Sequence, residues 1–173
     1  RHDTQEALRL GPKEFLLVEG IHGLNDALTP GIDPSRKFRV YASALTQLNI
    51  DRITRMSTSD SRLIRRMVRD STKRGYSAEE TLAVWPSVKR GERRNIFPFQ
   101  EDADAMFNSS LPYELPVLKK YAEPLLRTVP YSSPVYHNAV KLLDILDCIN
   151  PIEQDLVPIT SLLREFIGGS IFE

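Results

Sequence analysis

Cysteine is nearly absent from this chain of 173 residues, and so is any long apolar run. The single thiol, Cys148, excludes an intramolecular disulfide framework and suits a reducing, cytoplasmic setting. Runs such as Phe15–Val18 fall far short of the ~20 apolar residues of a membrane helix, so no membrane partner is expected. The opening Arg1-His2-Asp3-Thr4-Gln5-Glu6 has neither an initiating Met nor the apolar segment of a signal peptide. We expect such a chain to begin inside a longer protein. No Gly-x-x-x-x-Gly-Lys-Ser/Thr phosphate loop occurs, and Gly20-Ile21-His22-Gly23 lacks the lysine that would replace it. Net charge is missing too, because 23 Lys/Arg balance 23 Asp/Glu.

That balance is a sum of unlike parts. Residues 52–94 carry 12 basic and 5 acidic side chains, whereas residues 95–173 carry 5 basic and 11 acidic ones. A mean of zero would predict no anionic partner; a strongly basic middle segment predicts one. Hydrophobic residues at 41% and charged residues at 27% are ordinary for a globular domain, which argues against general disorder.

Glu14-Phe15-Leu16-Leu17-Val18-Glu19, between Gly11-Pro12 and Gly20, has the length and flanks of a buried strand. Residues 37–42 alternate like a second strand, and residues 103–108 suggest a third. A helical turn is expected near Leu24–Leu28. Thr58, Ser59 and Asp60 can each cap a helix running to about Lys73, with Leu63, Ile64, Met67 and Val68 as its apolar stripe and Gly75 as its stop. Ser77 with Glu80 reads as a capping box for another helix through about Trp85, before Pro86. Residues 113–128, 134–147 and 160–167 read as helices between prolines. Strands interleaved with helices favour an α/β layered domain.

The helix at 60–74 carries Arg62, Arg65, Arg66, Arg69, Lys73 and Arg74. Arg62, Arg66, Arg69 and Lys73 share one face, where like charges repel by a few tenths of a kcal/mol per exposed pair. Three readings fit: a solvated helix with Arg66–Asp70 pairing, an arginine helix gripping phosphate through planar forks, or a nucleic-acid surface. Glu19 ends the first strand candidate, where α/β proteins bind ligands, and could hold Mg²⁺ or water; an ordinary strand-end acid is the plain alternative. His22 follows closely and either touches a substrate or caps the loop. His2 and His137 fall in no metal-ligand spacing. Lys89, Arg90, Arg93 and Arg94 read as solvated surface, Gly168-Gly169 as a turn, and Cys148 as a buried small hydrophobe.

Val18-Glu19-Gly20-Ile21, Lys37–Ala42, Arg65-Arg66-Met67-Val68-Arg69-Asp70 with Lys73-Arg74-Gly75, and the Ala103-Asp104 segment together resemble the uridine kinase/phosphoribulokinase family of P-loop kinases. Glu19–Asn25 and the phrase Leu162-Leu163-Arg164-Glu165-Phe166-Ile167-Gly168-Gly169 are similar to a bacterial uridine-kinase-like branch. The resemblance implies part of a three-layer parallel sheet with lid helices, followed by a mostly helical C-terminal region. In that division residues 1–110 are the later part of the kinase core, with the lid at about 57–94, and residues 111–173 are an extension packed on it.

The resemblance further implies ATP and Mg²⁺ as cofactors, a small hydroxyl-bearing substrate, an upstream half of the kinase domain as partner and possible homo-oligomers. Arg66, Arg69 and Arg74 match lid arginines that close over the phosphates. Glu19 matches the acid serving the Mg²⁺ site, Arg65 falls on the cofactor side, and His22 and Tyr76 on the substrate side. The family's Arg-Gly-Arg here reads Arg74-Gly75-Tyr76, and Val84 stands where a nucleoside-gripping glutamine is usual, which leaves polar readout of uridine unsupported. Without a phosphate loop these residues alone are expected to be inactive. RNA or protein binding through the basic helix is the alternative function.

Overall fold

The computed structural model describes residues 9–46, 49, 52 and 55–172; His2 lies outside them. Val40–Ser43 (β1) and Ala105–Asn108 (β2) pair in parallel, Val40 opposite Ala105 and Ser43 opposite Asn108. Parallel neighbours need a long crossover, supplied here by α1 (Thr58–Arg74) and α2 (Ala78–Asn95). Three helices follow: α3 (Glu114–Arg127), α4 (Tyr136–Asp147) and the single turn α5 (Arg164–Ile167). The fold is therefore mixed α/β. Among the described residues the sheet has two strands, and a three-layer sheet is not formed.

The strand expected at 14–19 is absent. Phe15 and Leu17 are 86% and 84% exposed, and no described element covers the run. An apolar strand needs a neighbour for its backbone groups and a surface for its side chains. Neither is present among the described residues. The helical turn at Asp26–Leu28 does form, capped by Asn25, and Asp26 pairs with Lys37 and Arg39 at 3.1 Å each, tying the turn to the chain entering β1.

Asp104 performs the corresponding task before β2. Its carboxylate accepts the Arg39 backbone N–H at 2.7 Å and lies 3.5 Å from the Arg39 guanidinium. That backbone bond, more than the guanidinium's charge, holds the carboxyl below the ordinary aspartate value. A depressed folded-state value adds stability that is complete above the ordinary value and is lost as the pH falls through the depressed one. Asp104→Asn should therefore flatten the stability curve below pH ~4 relative to the parent, as read by urea midpoints across that range. An acid limb identical to the parent's would show that Asp104 contributes nothing there.

Ser57, one residue before the expected caps, caps α1 by accepting the Asp60 N–H. Gly75 ends the helix at φ 68°, a left-handed conformation that costs glycine little. Ser77 and Glu80 form the capping box of α2, with both reciprocal bonds made. The helix does not stop at Pro86 but runs to Asn95. Pro86 faces solvent, while Leu82 and Trp85 beside it are buried, and their packing outweighs the ~3 kcal/mol of interior proline.

Leu63, Ile64, Met67 and Val68 of α1 are buried against one apolar core that includes Leu118 and Leu126 of α3, Leu142 and Leu146 of α4, and Phe166 of α5. Each such side chain contributes roughly 1.5–3 kcal/mol. That far exceeds the repulsion among the arginines on the same helix. Cys148, expected inside, is exposed: it follows the last turn of α4, and its thiol donates to the Asp144 carbonyl at 3.4 Å. The helix expected at 160–167 shrinks to α5, and Gly168 and Gly169 turn the chain at φ 80° and 73°. No helix among the described residues is long and apolar enough to cross a membrane.

Candidate functional site

A cleft of about 280 Å³ opens beside the C-terminal ends of the two parallel strands. Open α/β sheets bind ligands at that edge. Ala42 and Ser43 line it from β1, and Ala44 and Ser109 from the residues just after β1 and β2; the Ser109 N–H donates to the Ser43 carbonyl at 2.9 Å. One wall is α1, which contributes Arg62, Arg65, Arg66 and Arg69. Their spacing of i, i+3, i+4 and i+7 keeps all four toward one side, while the apolar stripe of α1 faces the core. Opposite stand Trp85 and Glu92 of α2 and Glu165 and Phe166 of α5.

Each guanidinium is held differently. Arg62 donates to Glu92 at 2.6 Å. Arg65 donates to the Ser109 carbonyl at 2.7 Å and to the buried carboxylate of Glu114, and its guanidinium carbon lies 5.5 Å from the Phe166 ring centre. Arg66 and Arg74 flank the fully buried Asp70 at 2.9 and 3.0 Å. Arg69 is the loosest: it lies 3.9 Å from Asp70 and 3.7 Å from Glu165. The Nε atoms of Arg65, Arg66 and Arg69 are buried without a hydrogen-bond partner. For Arg66 the Asp70 carboxylate is close enough for an ion pair but is not aligned to accept the Nε–H.

Of the residues singled out from sequence, Arg65, Arg66 and Arg69 line the cleft. Arg74 reaches Asp70 from the last turn of α1 and does not line it; Tyr76, half-exposed beyond the helix, does not either. Glu19 and His22 are exposed in irregular chain and do not line the cleft. Among the described residues no three His, Cys, Asp or Glu side chains gather as metal ligands. Arg66–Asp70 pairing, one of the three readings of this helix, is present. A lid helix that swung by itself would have to expose Ile64, Met67 and Val68, at a cost of several kcal/mol. Trp85, Glu92, Ser109, Glu165 and Phe166 were not expected in the site. The only tryptophan of the chain, opposite an arginine helix, was the signal available for one of them.

The sequence model of the Phosphoribulokinase / Uridine kinase family matches residues 1–114. The chain belongs to this family. No curated protein and no solved structure matches it. Both strands, α1 and α2 lie inside the matched region of this phosphoribulokinase/uridine kinase family chain, so the arginine wall is part of what the family model describes. Glu165 and Phe166 lie outside it.

Proposed function

We propose that the cleft is the phosphate-binding part of an ATP-dependent phosphotransferase of the uridine-kinase-like branch, acting on a nucleoside or similar small hydroxyl acceptor. The observation that carries this reading is the arginine wall at the C-terminal ends of parallel strands. Phosphoryl transfer is catalysed mainly by positioning and by neutralising charge on the equatorial oxygens. Guanidinium forks suit both tasks, and a half-enclosed cleft strengthens their field relative to water. In the reaction an acceptor hydroxyl oxygen attacks the γ-phosphorus, the bond to the ADP oxygen breaks, and the hydroxyl proton passes to water. Arg66 and Arg69 would hold the transferring phosphoryl group, and Arg65 the cofactor's phosphates.

ATP with Mg²⁺ is the donor that family membership suggests; the arginines fit its phosphates, whereas the described carboxylates do not gather around a metal. Residues 1–110 would form the kinase portion and 111–173 a helical extension sharing its core. Tyr76 and Val84 give no polar grip in the cleft, which favours a simple hydroxyl acceptor over close readout of a base.

Calorimetric titration tests the reading. Inorganic pyrophosphate should bind the 173-residue chain in a salt-dependent manner, and Arg66→Ala with Arg69→Ala should weaken it about ten-fold or more. Lacking a phosphate loop, the same residues should form no ADP from ATP with uridine or cytidine. Binding indifferent to both arginines would overturn the assignment of the cleft, and uridine phosphorylation would overturn the expected inactivity.

A further inference from the structure

The phrase Leu162–Gly169 lies beyond the family match, yet two of its side chains line the cleft. Its sequence explains how it is held there. Leu163 and Phe166 are buried in the core, so the turn is anchored on both sides of Glu165. Arg164 fastens the surrounding loop, donating to the carbonyls of Val157 at 2.5 Å, Gln154 at 3.1 Å and Gly168 at 3.2 Å. Gly168 and Gly169 then turn the chain away with positive φ. What this arrangement delivers to the cleft is one carboxylate, Glu165, 61% exposed and 3.7 Å from Arg69.

We propose that Glu165 is a resident carboxylate that occupies Arg69 and that an incoming phosphate group must displace. The proposal rests on the reading of the cleft as a phosphate site. Three features favour displacement over a fixed structural pair. The Glu165 contact is longer than a charge-assisted hydrogen bond, which spans roughly 2.7–2.9 Å. The Glu165 side chain is more exposed than the Arg69 side chain it faces, at 61% against 33%, so it can withdraw into water while the arginine stays. Among the described residues the Arg69 guanidinium makes no hydrogen bond, only long ion pairs to Asp70 and Glu165, so its terminal amino groups have unused capacity for phosphate oxygens. The neighbouring Phe166 behaves oppositely, covering one face of Arg65 and narrowing the cleft on that side. The two residues leave Arg69 as the arginine whose occupant can change.

Calorimetric titration of inorganic pyrophosphate into the 173-residue chain at low ionic strength, with Glu165→Gln, Arg69→Gln and their combination, tests this. Glu165→Gln should tighten binding about three-fold, the size expected for an exposed ion pair, and the gain should vanish when Arg69 is already Gln. Glu153→Gln, which removes an equal charge from the remote pair with Lys120, should change affinity by much less. Unchanged or weaker binding by Glu165→Gln overturns the role of Glu165 and leaves the cleft intact as a phosphate site. An equal gain in the Arg69→Gln background also overturns it, because the effect would then be one of net charge alone. Absence of pyrophosphate binding in every variant overturns both this proposal and the reading beneath it.

Discussion

Glu114→Ala should lower the free energy of unfolding by about 3–5 kcal/mol, the range for removing one partner of a buried ion pair. Glu114 is fully buried at the first turn of α3 and is fully committed. Its carboxylate accepts the Ser61 hydroxyl at 2.7 Å and the Leu111 N–H at 2.9 Å, and it pairs with Arg65 of α1. Truncation leaves a guanidinium that is only 12% exposed facing a void, together with an unpaired buried hydroxyl. The apolar area gained by alanine cannot offset a desolvated charge. Glu114→Gln keeps the volume and one acceptor, so it should cost distinctly less. Urea unfolding of the two variants checks both the size and the order; a loss below ~1 kcal/mol for alanine would sink the account. Position sharpens this prediction, since Glu114 is the last residue of the family match and Arg65 lines the cleft. The helical region after it should therefore unfold together with α1 in one transition, and early loss of one part would contradict a shared core.

Elements specified by local chemistry are the ones legible in the sequence. The stripe of α1, its Gly75 stop and the Ser77–Glu80 box each need only residues within a few positions, and each is formed. β1 has the alternating burial of a half-buried strand, whereas β2 does not, since Met106 and Phe107 are both exposed. The Phe15–Val18 run fails as a strand because strand formation depends on a neighbour, which hydrophobicity does not encode. Pro86 fails as a stop because burial of Trp85 and Leu82 is a tertiary term that no local propensity contains. The site divides the same way. Arginines at helical spacing are visible as a face, but their partners are not. Arg62 meets Glu92, Arg65 meets Glu114 and Arg69 meets Glu165, pairings made only by the packing of α2, α3 and α5 on α1.

A further pairing lies within α1 itself. Asp70→Ala should destabilise the protein by about 2–3 kcal/mol, below Glu114→Ala because the orphaned arginines are nearer to water. Asp70 is 0% exposed, whereas the Arg66 and Arg74 side chains that flank it are 23% and 50% exposed. Once the carboxylate is gone, Arg74 can turn outward and be solvated, but Arg66 is held closer to the core by the turn it sits on. The reverse deletion is therefore asymmetric. Arg74→Ala removes a half-exposed partner while Arg66 remains beside Asp70, so it should cost under ~1 kcal/mol. Denaturant midpoints for the two variants decide the matter. If Arg74→Ala were as damaging as Asp70→Ala, Asp70 would be one member of an obligatory pair. If the aspartate alone is costly, it is a shared anchor, and the cations of α1 stay clustered because a buried carboxylate answers them from below.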